Sequence, residues 1–236
     1  MPRAARGPRL RVQPLFGVYC LLTFTLLGTA VLVVNLFVPT LRARRRIAAA
    51  FARGFFRSTR LKLSIEGAER LPQVPCVVVA NHASYLDGLV ACAALPPEFA
   101  FVIKKEMVRV PLAGLLLRRL GSEFVERSDR QQGAADARRV LKTASTGQSL
   151  VFFPEGTFDT TPQIGKFHRG AFATAERTGM PIVAVAIHGT RQALPSDSIL
   201  VRRTPIRFEI LAILEGDDAR SRSRELIAQA VGEPLA

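Results

Sequence analysis

The chain has 236 residues, which fits one domain of ordinary size with a short appendage. Hydrophobic residues make up 48% of the sequence and charged residues 22%, so a sizeable core is possible and intrinsic disorder, a collagen-like fold and a coiled coil are excluded. The three cysteines, Cys20, Cys76 and Cys92, are odd in number and form no C-x-x-C pair. This pattern supports neither a disulfide framework nor a cysteine-ligated zinc site.

The net charge of +14 is concentrated in the first quarter of the chain. Residues 1–62 contain twelve Lys and Arg residues and no Asp or Glu, whereas residues 63–236 contain the other 21 basic residues and all 19 acidic ones. A main domain with a net charge of only +2 is not typical of a nucleic-acid-binding protein, so we expect no nucleic-acid partner. We therefore divide the chain into residues 1–62 and a main domain, residues 63–236.

The first predicted element is an apolar helix over residues 15–38, which is long enough to cross a bilayer. Its length and its basic flanks favour membrane association over a cleaved signal peptide or a buried core helix. Arginines lie on both sides of it, at positions 3, 6, 9 and 11 and at positions 42, 44, 45 and 46. Because positive charge normally stays on the cytosolic side, two basic flanks favour a re-entrant or hairpin-like insertion; a full span is the alternative.

Residues 41–62 predict a second, basic amphipathic helix. Ile47, Phe51 and Phe55 share one helical face, and the opposite side gathers Arg42, Arg45, Arg46, Arg53, Arg57 and Arg60. Such a helix is expected to lie along a bilayer surface, with its cations near anionic headgroups. The alternative is an arginine-rich helix packed on the main domain.

The main domain alternates short apolar runs with longer helical patterns. Strands are predicted at residues 76–80, 99–104, 149–153, 182–187 and 206–211, and helices at residues 85–94, 111–120, 130–146, 170–177 and 219–230. This alternation predicts an α/β fold in which helices flank a mostly parallel central sheet. Functional groups in such folds lie beyond the carboxyl ends of the strands. No G-x-G-x-x-G, P-loop, G-x-S-x-G or H-E-x-x-H motif occurs.

A histidine and an aspartate directly follow the first predicted strand of this domain. His82 and Asp87 are a pairing suited to general-base catalysis, in which the carboxylate orients the imidazole. Five positions on a regular helix would turn the two side chains about 140° apart, so they can meet only across a strand-to-helix turn. The alternative is a loop histidine next to an N-capping aspartate. Ser84 lacks the glycines of a nucleophile elbow.

A tight turn follows the predicted strand at residues 149–153. In Phe153-Pro154-Glu155-Gly156-Thr157, proline and glycine favour a turn whose backbone N–H groups and threonine hydroxyl converge on one spot. Glu155 would then lie beside an anionic or hydroxyl ligand. A purely structural turn with a capping carboxylate is the alternative.

Together these segments resemble the membrane-bound glycerolipid acyltransferase family, best represented by bacterial 1-acylglycerol-3-phosphate acyltransferases. Asn81, His82 and Asp87 match its Asn-His-x-x-x-x-Asp box, and residues 153–157 match its Phe-Pro-Glu-Gly-Thr box. Residues 104–107, 121–127 and 180–187 are similar to further family segments, in the same order. Two departures lie near the expected acceptor pocket: His168 stands where lysine is common, and Phe158-Asp159 where Arg-Ser is frequent.

The resemblance implies a glycerol-3-phosphate acyltransferase-like fold and a reaction. A fatty acyl group would pass from acyl-CoA or acyl carrier protein to the hydroxyl of a lysophospholipid, foremost 1-acyl-glycerol-3-phosphate, giving phosphatidic acid. His82 would be the general base and Asp87 its orienting partner; no metal or cofactor is implied.

The resemblance also implies a binding set and a location. Lys104 and Arg127 would bind the acceptor phosphate, and Glu155, Gly156 and Thr157 would complete the substrate-binding residues. The expected location is the cytoplasmic face of a membrane, the inner one in a bacterium. Acylation of another lysolipid, such as a lyso-ornithine lipid, is one alternative, and a non-catalytic lipid-binding membrane protein is a more remote one. The oligomeric state is left open.

Overall fold

Two antiparallel helices form the N-terminal part of the protein. The structure, a computed structural model, describes residues 14–126 and 130–236, with the backbone alone at position 130. Helix α1 (Pro14–Phe37) has 24 residues and is apolar, and α2 (Leu41–Thr59) follows after a three-residue link. The hydroxyl of Thr40 caps α2 by accepting from the Ala43 N–H at 3.4 Å.

The main domain is built on a seven-stranded sheet in the order β1-β7-β6-β2-β5-β3-β4. The strands are β1 (Leu63–Glu66), β2 (Val77–Ala80), β3 (Phe99–Lys104), β4 (Glu123–Val125), β5 (Ser149–Phe152), β6 (Ile182–His188) and β7 (Ile206–Leu214). Neighbouring strands are parallel except β6 and β7, whose antiparallel pairing contains an irregularity between Ala184 and Val185. The carboxyl ends of β2, β3, β4, β5 and β6 therefore share one edge, which we call the upper edge.

Helices cover both faces of the sheet. They are α3 (Leu86–Ala94), α4 (Ala113–Arg119), α5 (Arg130–Ser145), α6 (Gly170–Thr178), the short α7 (Thr190–Ala193) and α8 (Ala219–Val231), with 3₁₀ turns at Ala68–Arg70 and Lys105–Arg109. Val78 and Val185 point into a core shared with α2 and α3, whereas Val77 and Val79 point into a core shared with α5, α6 and α8. Strands buried on both faces explain why their sequences are continuous apolar runs.

The predicted fold class is confirmed, and each of the five predicted strands and seven predicted helices is present within a few residues of its expected bounds. The two strands that the sequence did not predict, β1 and β4, lie at the edges of the sheet. Their sequences, LSIE and EFV, are three or four residues long and mix apolar with charged residues. Edge strands are only partly covered, so they lack the apolar run that marks a central strand.

Helix α1 lies along the main domain and contacts it near both ends. At its start, the guanidinium of Arg203 lies 4.5 Å from the centre of the Phe16 ring. At its end, Arg119 of α4 donates to the carbonyl oxygens of Asn35 at 2.8 Å and Leu36 at 2.9 Å. The side of α1 that faces away from the domain is apolar; it exposes Leu15, Val18, Leu22, Leu26, Val33 and Phe37, among others. Within the described ranges, α1 is the one helix long and apolar enough to cross a membrane.

Helix α2 is amphipathic as predicted, but its apolar face packs on protein. Phe55 is 2% exposed and makes an edge-to-face contact with Phe24 of α1 at 5.9 Å between ring centres. Arg45, expected on the headgroup side, is 8% exposed and donates to the Leu120 carbonyl at 2.8 Å and the Gly121 carbonyl at 3.2 Å. The expected orientation of Phe55 and Arg45 is therefore wrong, because the main domain offers both side chains better partners than a bilayer surface does.

Arg45 should be a stability determinant. Burial lowers its pKa from the usual range, with the nearby carboxylates of Glu98 and Glu123 acting in the opposite direction. We expect Arg45→Ala to reduce the free energy of unfolding by about 2–4 kcal/mol, since it leaves several part-buried carbonyl groups without their donor. Denaturant unfolding in detergent measures this. The control is Arg46→Ala, on the exposed side of the same helix, which should change stability by less than about 0.5 kcal/mol. Equal effects of the two substitutions would contradict the assignment.

Candidate active site

The site begins where β2 ends at the upper edge. Asn81 ends the strand because its side chain replaces backbone pairing: its Oδ1 accepts from the Ile187 N–H at 2.7 Å and its Nδ2 donates to the Ile187 carbonyl at 3.0 Å. These two bonds join the loop after β2 to the end of β6. The residue that follows, His82, is thereby held at the carboxyl edge of the sheet.

His82 and Asp87 meet across the predicted strand-to-helix turn. Asp87 lies in the first turn of α3 and is fully buried, and its Oδ2 is 3.0 Å from His82 Nδ1. The same oxygen accepts from the backbone N–H groups of Ala83 at 2.6 Å and Ser84 at 2.8 Å. These two N–H groups precede α3, and they stabilise the carboxylate together with the positive end of the helix dipole.

The carboxylate defines which nitrogen of His82 carries a proton. An ionised Asp87 can only accept, so Nδ1 must be the donor and, in the neutral ring, Nε2 keeps its lone pair. Among the described residues none forms a hydrogen bond with Nε2, and the His82 side chain is 21% exposed. This nitrogen can therefore accept a proton from a molecule that enters from solvent or lipid.

Aromatic rings hold the imidazole in place. Phe153 stacks on His82 with ring centres 4.5 Å apart, and Phe158 contacts it edge-on at the same distance. Phe158 also contacts Tyr85 at 4.9 Å. The sequence did not single out Phe158 as a neighbour of His82, because only the folded loop brings it there.

Both carboxylate oxygens of Glu155 accept hydrogen bonds from backbone N–H groups. Its Oε1 accepts from the His82 N–H at 2.7 Å, and its Oε2 accepts from the Gly165 N–H at 2.6 Å. Burial raises the pKa of Glu155, while these two hydrogen bonds and the charges of His82 and Arg191 lower it. The expectation of a substrate-binding Glu155 does not fit this arrangement, in which both oxygens already hold protein donors and the side chain positions the His82 loop.

In the rest of the turn, Gly156 is half-buried and Thr157 is exposed. Gly156 has φ +79° and donates to the Phe153 carbonyl at 3.0 Å, a conformation that glycine adopts without strain. Thr157 follows it and is exposed. Ser84, in contrast, is buried and its hydroxyl donates to the Leu194 carbonyl at 2.7 Å, so it is not placed as a nucleophile.

Of the two residues predicted to bind the acceptor phosphate, Lys104 lies in the described part of the chain and Arg127 does not. Lys104 ends β3 at the upper edge, is half-exposed, and pairs with Glu106 at 3.0 Å. Arg127 lies outside the described residues.

Glu155 has a cationic neighbour, Arg191, that sequence reasoning missed. The guanidinium of Arg191 makes a two-point ion pair with Glu233 at 2.8 and 3.0 Å. No local motif marks Arg191, because its partner is 42 residues away.

Comparisons with known proteins show the family to which the chain belongs. A family model described as Acyltransferase matches residues 62–188, more than half of the chain. The protein therefore belongs to the acyltransferase family, and the predicted family is confirmed. The crystal structure of the 1-acyl-sn-glycerophosphate acyltransferase from Thermotoga maritima has the same fold, with a TM-score of 0.77, 22% identity, and coverage of 93% of this chain and 94% of that one.

Curated relatives are similar over different lengths. A chloroplastic 1-acyl-sn-glycerol-3-phosphate acyltransferase of Brassica napus is 33% identical over 58% of this chain and 40% of its own length. A 1-acyl-sn-glycerol-3-phosphate acyltransferase of Saccharomyces cerevisiae is 32% identical over 59% of this chain and 48% of its own. The Neisseria gonorrhoeae protein of that name is 29% identical over 82% and 81%. The chain thus spans less than half of the first two relatives and most of the third.

Glu155 gives a prediction about pH. Because its pKa is raised on folding from an ordinary value near 4.5, the folded protein binds this proton more tightly than the unfolded chain. Its contribution to stability is therefore most favourable below pH 4.5 and is lost as pH rises through the folded-state pKa. Glu155→Gln removes this dependence. The unfolding free energy of the variant minus that of the wild type should therefore increase as pH rises from about 4 to 7. Denaturant unfolding at several pH values measures the difference, and a gap that is constant or moves the other way would contradict it.

Proposed function

We propose that this protein transfers a fatty acyl group from an acyl thioester to the free hydroxyl of 1-acyl-glycerol-3-phosphate, giving phosphatidic acid. The observation that carries the proposal is the pairing of His82 with a buried Asp87 at the upper edge, in a side chain that stays 21% exposed and whose Nε2 has no hydrogen-bond partner among the described residues. Family membership supports the reaction class, and the relatives, which are named as 1-acyl-sn-glycerol-3-phosphate acyltransferases, support the acceptor.

His82 acts as the general base. Its Nε2 takes the proton of the acceptor hydroxyl while the hydroxyl oxygen attacks the thioester carbonyl, and Asp87 stabilises the imidazolium that forms. When the tetrahedral adduct collapses, the carbon–sulfur bond breaks, an ester remains, and the proton on Nε2 passes to the leaving thiolate. The thioester is acyl-CoA or the acylated form of acyl carrier protein, and no covalent enzyme intermediate is needed.

The developing oxyanion needs donors that are not already engaged. Two turns lie beside His82. In the one after Asn81 the backbone N–H groups already have acceptors, because His82 donates to Glu155, and Ala83 and Ser84 donate to Asp87. In the other turn, within the part of the chain described, the N–H and hydroxyl of Thr157 have no hydrogen-bond partner. This supports Thr157 as the oxyanion donor, presented by the positive-φ turn at Gly156.

The membrane is the source of the acceptor. Helix α1 exposes an apolar side, while both of its ends contact the main domain through Phe16 and Asn35. A helix fixed lengthwise to a domain on one side of the bilayer favours insertion from that side over a full crossing. We place the main domain on the cytoplasmic face, where a soluble thioester donor is available.

One observation favours a second acceptor class, a lysolipid without a phosphate, such as a lyso-ornithine lipid. Phe158, which stands where family members frequently have arginine, packs against His82 itself. An apolar ring in place of a cation weakens the case for an anionic headgroup at that point. Parallel assays with labelled acyl-CoA and lysophosphatidic acid, lyso-ornithine lipid or other lysophospholipids distinguish the two classes. Product with lyso-ornithine lipid alone would replace the first proposal with the second.

Substitution of the base pair tests the mechanism. We expect His82→Ala and Asp87→Asn each to lower kcat by between about 10²- and 10⁴-fold, since general-base catalysis supplies an effect of this size. Initial rates of product formation in detergent–lipid micelles measure it, with Ser84→Ala as a control for a buried residue of the same loop. Full activity of His82→Ala would instead favour a non-catalytic lipid-binding protein.

Substitution of the cations tests the acceptor. Lys104→Ala and Arg127→Ala should each raise KM for lysophosphatidic acid by about tenfold or more, the loss expected for one charge-assisted hydrogen bond. They should leave KM for a phosphate-free lysolipid unchanged. Arg220→Ala, on the exposed side of α8, is the matched control for lost positive charge. Equal changes with both acceptors would remove Lys104 and Arg127 from the phosphate site.

A further inference from the structure

A second exposed apolar surface lies where β3 leads into α4. The chain reverses at Leu112 in a three-residue turn, in which the Ala113 N–H donates to the Pro111 carbonyl at 2.6 Å. Leu112 has φ 61° and ψ −51°, the positive-φ γ-turn that is rare and strained for a residue with a side chain. Its side chain is 62% exposed, so packing within the chain does not offset the strain.

The turn is held by close backbone packing. The Gly114 N–H donates to the Val110 carbonyl at 2.8 Å. A Cβ atom at position 114 would lie 2.3 Å from the carbonyl oxygen of Val108, so only glycine fits there. These backbone contacts therefore hold Leu112 in its exposed position.

The composition of this surface points to a particular partner. We define the α4 strip as the exposed residues Arg109, Val110, Pro111, Leu112, Leu115 and Arg118. Its centre is apolar and an arginine stands at each end. Neither arginine forms an ion pair with an acidic residue of the described chain. An apolar centre between two uncompensated cations is complementary to a bilayer that carries anionic headgroups.

The helix that carries the α4 strip contacts the end of α1. Arg119, in the last turn of α4, donates to the Asn35 and Leu36 carbonyls at the end of α1. Since α4 has seven residues and is about 10 Å long, Leu112 lies only a short helix away from that contact. The strip also begins five residues after Lys104, at the edge of the sheet that carries His82.

We propose that the α4 strip inserts into the headgroup region of an anionic bilayer and is a second membrane contact beside α1. Two contacts fix the orientation of the main domain relative to the bilayer. With α1 as the single contact, the domain could still rotate about the long axis of α1. The upper edge, with His82, is then kept next to the lipid surface. The inference rests on the membrane association in the proposed function, but not on the acyl-transfer reaction.

Tryptophan fluorescence tests the proposal directly, because the chain contains no tryptophan. The full chain carrying Leu112→Trp is reconstituted with vesicles of phosphatidylglycerol and phosphatidylcholine whose acyl chains are brominated. We expect the emission to shift to shorter wavelength and to be quenched by the bromine atoms. The control is Gln229→Trp, exposed on α8 over the opposite face of the sheet, whose emission should be neither shifted nor quenched.

Leu115→Trp is a second reporter in case the strained turn at position 112 does not accept the larger ring; circular dichroism checks that each variant is folded. Quenching no greater than that of Gln229→Trp at both strip positions would overturn the proposal. A blue shift that depends on protein concentration and not on lipid would also overturn it, since the strip would then join two copies of the chain. The readout needs no substrate, so an inactive protein with a quenched strip would count against the proposed reaction alone.

Discussion

One carboxylate oxygen, Oδ2 of Asp87, organises the proposed active site. It accepts three N–H groups, from the His82 ring and from the backbone of Ala83 and Ser84. The other oxygen, Oδ1, is buried without a partner in the part of the chain described, so the hydrogen bonding of this carboxylate depends on Oδ2. Each backbone donor left unpaired in such a site would cost about 1–3 kcal/mol. The bonds that orient the imidazole therefore also determine how the chain passes from β2 into α3.

The position of that loop depends on contacts with distant segments. Glu155 joins the N–H groups of His82 and Gly165, so the loops after β2 and β5 are held together by one side chain. Arg224 of α8 donates to the carbonyl oxygens of Ile164 and Gly165, both at 2.8 Å. Ile164 also pairs with Leu235, in the C-terminal segment, through a parallel β-bridge. A partly buried carboxylate and a guanidinium thus connect the His82 loop to α8.

Much of the fold could be predicted because central strands and functional turns leave local signals. The runs at β2, β5 and β6 are apolar on both faces, and the His82–Asp87 spacing already required a turn between them. The edge strands β1 and β4 could not be found, since partial exposure allows them a mixed sequence. Two further features needed the folded chain. The amphipathic pattern of α2 does not say whether protein or lipid covers its apolar face, and the donors that occupy Glu155 come from 73 and 10 residues away.

The central claim is that Asp87 holds the His82 ring with Nδ1 protonated and Nε2 able to accept a proton. Nitrogen-15 NMR of protein labelled at its three histidines measures this most directly, with His82→Gln assigning the signal. We predict that neutral His82 carries its proton on Nδ1, and that Asp87→Asn disturbs this tautomer. A neutral ring protonated on Nε2 in the wild type would contradict the claim, because that nitrogen could not then take a proton from an acceptor hydroxyl.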